Sequence, residues 1–220
     1  MVTVLEIDPE LKQQCPGLRV ACVHGAVRVT SSPEDLLRQL NQRASALQSQ
    51  GGDASTYPEI AATRQAYKAL GKEPSRYRNS AEALWRRIIS GKGLYFINNL
   101  VDINNLVSLE SLMPVGTYDL AKIMPPLVFR EGKSGESYKG IGKDVLNIAD
   151  LPVFADKDGP FGSPTSDSER AMITESTTRF AMMIISFSGK ADLPVWAERA
   201  VSLIRQHAGG SELQFEVVGS

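Results

Sequence analysis

Apolar and polar residues alternate early in the chain, where Leu18, Val20 and Cys22, then Val27 and Val29, predict strands broken at Gly25. The period then lengthens. Leu36, Leu37, Leu40, Ala44 and Leu47 recur at helical spacing, with Ser32 expected as N-cap, Pro33 as first helical residue and Gly51-Gly52 as the stop. A second helix is expected from about Glu59 to Leu70, closed by Gly71, and a third from Asn79-Ser80 to Gly91. From Leu94 onward short strands dominate: Tyr95–Ile97, Leu127–Arg130, Leu151–Ala155 and the continuously apolar Ala181–Phe187. Pro194–His207 has an apolar helical face, and Leu213–Val217 alternates as a last strand. Helices and strands mix without a regular βαβ rhythm, so the expected class is α+β. Residues 1–79 read as a strand pair and helices packed on a core formed by residues 80–220, the whole making one structural unit.

Composition narrows this little. The 220 residues are 42% hydrophobic and 22% charged, with 24 basic against 25 acidic side chains, a net charge of −1. Balance of this kind argues against a strong non-specific electrostatic grip on nucleic acid, DNA included, but leaves room for a local basic patch that meets RNA. Cys15 and Cys22 form no C-x-x-C pair and are expected as reduced, partly buried thiols of a cytoplasmic protein. The longest apolar run, Phe180–Ile185, is far short of a membrane span, and the N-terminus lacks the build of a secretion signal.

Three stretches carry more chemistry than a generic domain needs. On a helix after Asn99, the side chains of Asn98, Asp102 and Asn105 share one face, beside an apolar face of Leu100, Ile103 and Val107. Such a polar stripe is either a ligand-facing wall or a cap, Asn98 or Asn99, with a satisfied network behind it. In Gly159–Arg170, two glycines and two prolines precede Thr165, Ser166, Asp167 and Ser168. Small hydroxyls, open main-chain N–H groups and one carboxylate suit a substrate or a water; the alternative is a turn capped by Thr165 or Ser166, with Glu169 closing the box. Thr174–Arg179, including Thr177, is a hydroxyl cluster or a polar strand edge. Arg76, Arg78, Arg86 and Arg87, interleaved with Tyr77, fit an RNA backbone or a solvated helix face equally well. No phosphate-cradling glycine motif is present, and the two histidines, His24 and His207, are expected as solvated side chains, which disfavours a histidine triad or a zinc hydrolase.

The order of these segments resembles the B3/B4 domain of the phenylalanyl-tRNA synthetase beta chain, in its stand-alone version. The family's "inN-x-VDvtN" segment is matched by Ile97–Leu106, followed by Pro114–Asp119. Its "vR…GE" segment is matched by Leu127–Arg130 and Gly135-Glu136, and its "aD-x-x-G" step by Ala155–Gly159. The likeness runs from about Ser80 to Phe187. It implies a B3/B4-like mixed sheet packed with helices, and a pocket that accepts the acceptor end of an aminoacyl-tRNA. The implied activity is a deacylase acting in trans on mischarged aminoacyl-tRNA, an ester so activated that positioning and an oxyanion donor suffice. Asn98, Asp102, Thr165, Ser166 and Asp167 are then the expected catalytic residues. Asn99, Asn105, Gly116, Gly162, Ser168, Arg170 and Thr177 are expected to bind or support the substrate. Neither cofactor nor metal is implied; an aminoacyl-tRNA synthetase is a further possible partner, and a non-catalytic tRNA or amino-acid-binding module is the alternative. Gly116 stands where the family has histidine, Ile184 where the synthetase carries a specificity glutamate, and Gly162–Asp167 replaces a "GvmGG" loop. The pocket is therefore expected to have lost the synthetase's selectivity, with Asp167 reading a cationic or polar side chain.

Overall fold

Residues 19–26, early in the chain, are held between two strands from its far end. In order, the chain forms β1 (Leu5–Ile7), α1 (Pro9–Gln14), β2 (Arg19–Ala26), α2 (Glu34–Gln50), α3 (Pro58–Ala69), α4 (Ser80–Ile89) and α5 (Asn99–Ser111). There follow β3 (Val115–Asp119), β4 (Leu127–Glu131), β5 (Ser137–Lys139), β6 (Val145–Asn147), β7 (Pro152–Asp156), β8 (Gly159–Gly162), β9 (Arg179–Ser186), α6 (Leu193–His207) and β10 (Ser211–Val218). The structure is a computed structural model and describes residues 5–219.

One four-stranded sheet has the order β10-β2-β9-β3, with every pair antiparallel. A second has the order β1-β4-β7-β8, parallel only between β1 and β4, and β5-β6 is a separate hairpin. Side chains alternate across the first sheet. Ala21, Val23, Phe180, Met182 and Ile184 face α2, α4, α5 and α6 in one core. Val20, Cys22, Tyr118, Ala181, Met183 and Ile185 face Leu127, Phe129, Phe154 and Phe161 of the second sheet in another. The result is three layers of helices, sheet and sheet, an α+β arrangement in which β9 is buried on both faces. That double burial explains why its sequence is unbroken hydrophobic rather than alternating.

Several expectations need correction. Gly25 does not break β2: the strand continues through it, paired with Phe180 of β9, and the missing side chain lets β10 pass so close that a Cβ there would meet Ser211 O at 2.8 Å. Ser32 does not cap α2, whose N-cap is Pro33 with no side-chain bond; the Ser32 hydroxyl donates to Asp102 instead. Tyr95–Ile97 is not a strand but an exposed segment leading to the α5 cap. Neither histidine is solvated: His24 lies within β2 and His207 ends α6, both buried, and burial lowers the pKa of each. Both cysteines are free and buried, and burial pushes the Cys15 thiol up to about 11 and that of Cys22 up to about 12. No helix among the described residues is long and apolar enough to cross a membrane.

Candidate functional site

In β3 the alternation sends Val115 to the helical core and Tyr118 to the opposite face. There the Tyr118 ring meets Phe161 edge-on at 4.9 Å and Phe154 at 5.9 Å. Its phenol tip lies in a slot between two glycines. A Cβ added at either Gly116 or Gly162 would stand 2.3 Å from the Tyr118 oxygen, so each position has room only for hydrogen. Emerging from that slot, the Tyr118 hydroxyl donates to Asp167 Oδ1 at 2.7 Å.

Asp167 belongs to a loop tied down by hydroxyls. Ser163 Oγ accepts from the N–H groups of Thr165 and Ser166 and donates to the Ser166 carbonyl. The Thr165 and Ser166 main-chain donors, expected to be open, are therefore occupied. Tyr138, from β5, donates to Ser166 O at 2.5 Å, and the Tyr67 hydroxyl of α3 pairs with Thr165 Oγ1 at 2.7 Å. The first turn of α4 joins in, because Ser80 N–H donates to Pro164 O at 2.7 Å. The expected cap by Thr165 or Ser166 is displaced: Ser168 Oγ caps a short turn at Glu169–Ala171 by accepting from Arg170 N–H. Arg170 then reaches back to both oxygens of Asp156, and to the carbonyls of Gly159 and Lys122.

Burial sets the electrostatics. Thr165, Ser166 and Asp167 are half-buried residues on the rim of this cluster. The Asp167 carboxyl itself is desolvated, which pushes its pKa up to about 7 against the bonds from Tyr118 and the main chain and the charge of Lys143. Tyr118 is raised well above its ordinary value, first by burial and then by the Asp167 charge. Burial also raises Tyr67 and Tyr138. All three phenols are thus neutral, and Tyr118 is the one that donates to the titratable carboxyl.

The other predicted residues lie elsewhere. Asn98 caps α5 by accepting from Val101 N–H. The Asn99 amide ties the segment at Arg28 and Thr30 to the His207 carbonyl at the end of α6. Asp102 accepts from Ser32 Oγ at 2.6 Å and Ile97 N–H at 3.1 Å, and burial raises its pKa. Asn105 is half-buried on α5, beside Asn104. This polar group lies with α5 on the helical side of the first sheet, and the Asp167 cluster on the other, so the two do not converge on one cleft. Ile184 likewise faces the helices and not Tyr118. Thr177 donates to Asp119 at 2.8 Å, anchoring the end of β3. The three tyrosines were not legible as site residues: each sits in a segment whose pattern reads as ordinary core.

A shallow cleft beside α4 is lined by Arg78, Trp85, Arg86, Arg87 and Lys92. The Arg87 guanidinium stacks 3.7 Å from the centre of the Tyr95 ring. Arg76 is exposed on the approach to the helix. Among the described residues no group of three or more histidine, cysteine or acidic side chains is placed to hold a metal ion.

Comparisons agree with the sequence likeness. The beta subunit of phenylalanine–tRNA ligase from Bartonella henselae is 31% identical over 110 residues, 49% of this chain and 14% of that protein. Its counterpart from Aquifex aeolicus is 33% identical over 69 residues, 31% of this chain and 9% of that protein. The chain thus spans only a small part of these relatives. An N-terminal fragment of the phenylalanyl-tRNA synthetase beta-subunit from Pyrococcus horikoshii superposes with a TM-score of 0.49 at 15% identity, covering 94% of this chain and 49% of that one. The family model for the B3/4 domain matches residues 62–209, a span from α3 to the end of α6. On that match, the chain belongs to the B3/4 domain family.

Proposed function

We propose that the chain hydrolyses the ester of mischarged aminoacyl-tRNA in trans, in the cytoplasm, at the rim formed by Thr165, Ser166 and Asp167. The observation that carries this reading is the Tyr118–Asp167 pair: a carboxyl held in place at 2.7 Å by a neutral phenol, beneath half-buried hydroxyls. A carboxyl that titrates near neutrality has the basicity to take a proton from water. Water adds to the ester carbonyl as Asp167 accepts its proton. The C–O bond to the terminal ribose then breaks, and the proton returns to the leaving hydroxyl. The hydroxyls of Thr165 and Ser166 serve the developing oxyanion. Gly116 and Gly162 shape the slot, Ser168 and Arg170 hold the loop, and Asn98, Asn99, Asp102, Asn105 and Thr177 maintain the scaffold.

A second reading, a module that holds tRNA or an amino-acid-like ligand beside a synthetase, is favoured by one observation. The Tyr118 ring fills the space between Gly116 and Gly162, so the protein's own side chain occupies room under the loop. Incubation with a panel of mischarged aminoacyl-tRNAs separates the two. Shortened ester half-lives that depend on Asp167 support hydrolysis. Saturable binding with half-lives equal to those in buffer supports the module.

A further inference from the structure

The α4 cleft concentrates positive charge on a protein whose net charge is −1. Glu82 is fully buried, and its Oε1 is shared by Arg64 at 2.9 Å and Arg86 at 2.8 Å. Asp53, also within electrostatic reach of Arg64 and Arg86, is fully exposed. Arg78, Arg87 and Lys92 make no ion pair among the described residues. Two donors of the walls also lack a protein acceptor: the Trp85 indole N–H, on a side chain only 3% exposed, and Arg87 Nε. Both are sealed from solvent, as is the equally unpartnered Glu82 Oε2, so what the cleft offers a ligand is the charge of Arg78, Arg87 and Lys92.

The aromatic component selects among anions. Tyr95 is 67% exposed, with Arg87 stacked on its ring, and Phe96 beside it is exposed too. A flat ring braced by a guanidinium next to free cations suits a chain that alternates phosphates with planar bases. Duplex bases, already stacked on one another, do not offer their faces to such a ring. The cleft also adjoins the candidate site, since the first turn of α4 binds the Pro164 carbonyl.

We propose that the α4 cleft is a contact surface for single-stranded RNA, with phosphates on Arg78, Arg87 and Lys92 and a base on Tyr95. It deepens the reading above, from which it takes only the nucleic-acid partner, and it requires no hydrolysis.

The test is fluorescence anisotropy of a short labelled single-stranded RNA with the full chain, against the same sequence as a duplex and a polyglutamate peptide. Expected is a preference for the single strand, with log Kd rising with log salt at a slope of about 2, from three cations at ~0.7 each. Tyr95→Ala is expected to weaken binding about tenfold and Tyr95→Phe to retain it. Arg87→Glu with Lys92→Glu should lower the salt slope, with the thermal melt confirming that the surface variants fold. Equal affinity for polyglutamate, equal affinity for the duplex, or wild-type affinity in both Tyr95→Ala and the Arg87→Glu, Lys92→Glu variant would overturn the proposal. Hydrolysis of a small aminoacyl ester without a tRNA body reports on the Asp167 reading separately. Its loss leaves the RNA result standing, and its persistence in cleft variants leaves the hydrolysis reading standing.

Discussion

The hydroxyl of Tyr118 donates to the carboxylate of Asp167 at 2.7 Å, linking β3 to a loop that follows it by almost fifty residues. The bond does two things at once. It fixes the rim of the candidate site and orients a carboxyl whose surroundings hold its titration near neutrality.

Removing the phenol tests both. In Tyr118→Phe the ring still fills the slot, but the desolvated carboxyl loses its donor, a loss of about 1–3 kcal/mol for a group of this kind. Urea unfolding measures it, and an unchanged midpoint would show that solvent replaces the bond freely.

Asp167→Asn has a pH signature. The folded carboxyl has its pKa raised to about 7, above its unfolded value, so the folded state binds more protons between the two. Stability from this group is therefore present at acid pH and falls as pH rises towards about 7. Relative to wild type, the amide variant is expected to melt progressively higher as pH is raised from about 4 to about 8. A difference in melting temperature that stays flat, or runs the other way, contradicts the assignment.

Gly116→Ala and Gly162→Ala each place a methyl 2.3 Å from the Tyr118 oxygen. Overpacking of this kind costs about 1–3 kcal/mol, and it displaces the phenol from Asp167. Combining either substitution with Tyr118→Leu, which vacates the slot, should recover part of the loss. Strict additivity in a thermal-melt cycle would mean that the glycines matter for another reason.

Arg170→Met leaves Asp156 with its main-chain donors, Met124 and Asp158, but without its cation. Desolvation alone would raise the Asp156 pKa; Arg170 and those N–H groups outweigh it and lower the value below the ordinary range. The pairing therefore stabilises at neutral pH and is lost as pH falls through the folded pKa. The variant is expected to lose about 2–4 kcal/mol at neutral pH, discounted because Arg170 is partly exposed, and to differ less from wild type in acid. Acid titration of the unfolding midpoint checks both parts.

The motifs behind the family resemblance were readable because they hold the fold together. Arg130 pairs bidentately with Glu136, Asp156 receives Arg170, and Asp102 joins Ser32 to the start of α5. Caps at Asn79 and Asn98 and the stops at Gly51 and Gly71 follow from local chemistry, so those helix ends are legible in the sequence. Long-range geometry was not legible. Helical spacing put Asn98 and Asp102 on one face, but not which side of the sheet that face would meet. Tyr67, Tyr118 and Tyr138 lie far apart in sequence and are brought to one loop only by strand register and helix packing. Gly116 looked like a lost histidine; its role, leaving room for the Tyr118 tip, depends on a contact that no spacing encodes.

The sheet order has a consequence for synthesis on the ribosome. Residues 19–26 hydrogen-bond to residues 179–186 on one edge and to residues 211–218 on the other. Neither neighbour exists until most of the chain has been translated, so an apolar strand must wait with both edges unpaired. Nascent chains stalled before residue 179 are expected to recruit holding chaperones, and release of β10 from the exit tunnel is the event that closes the sheet.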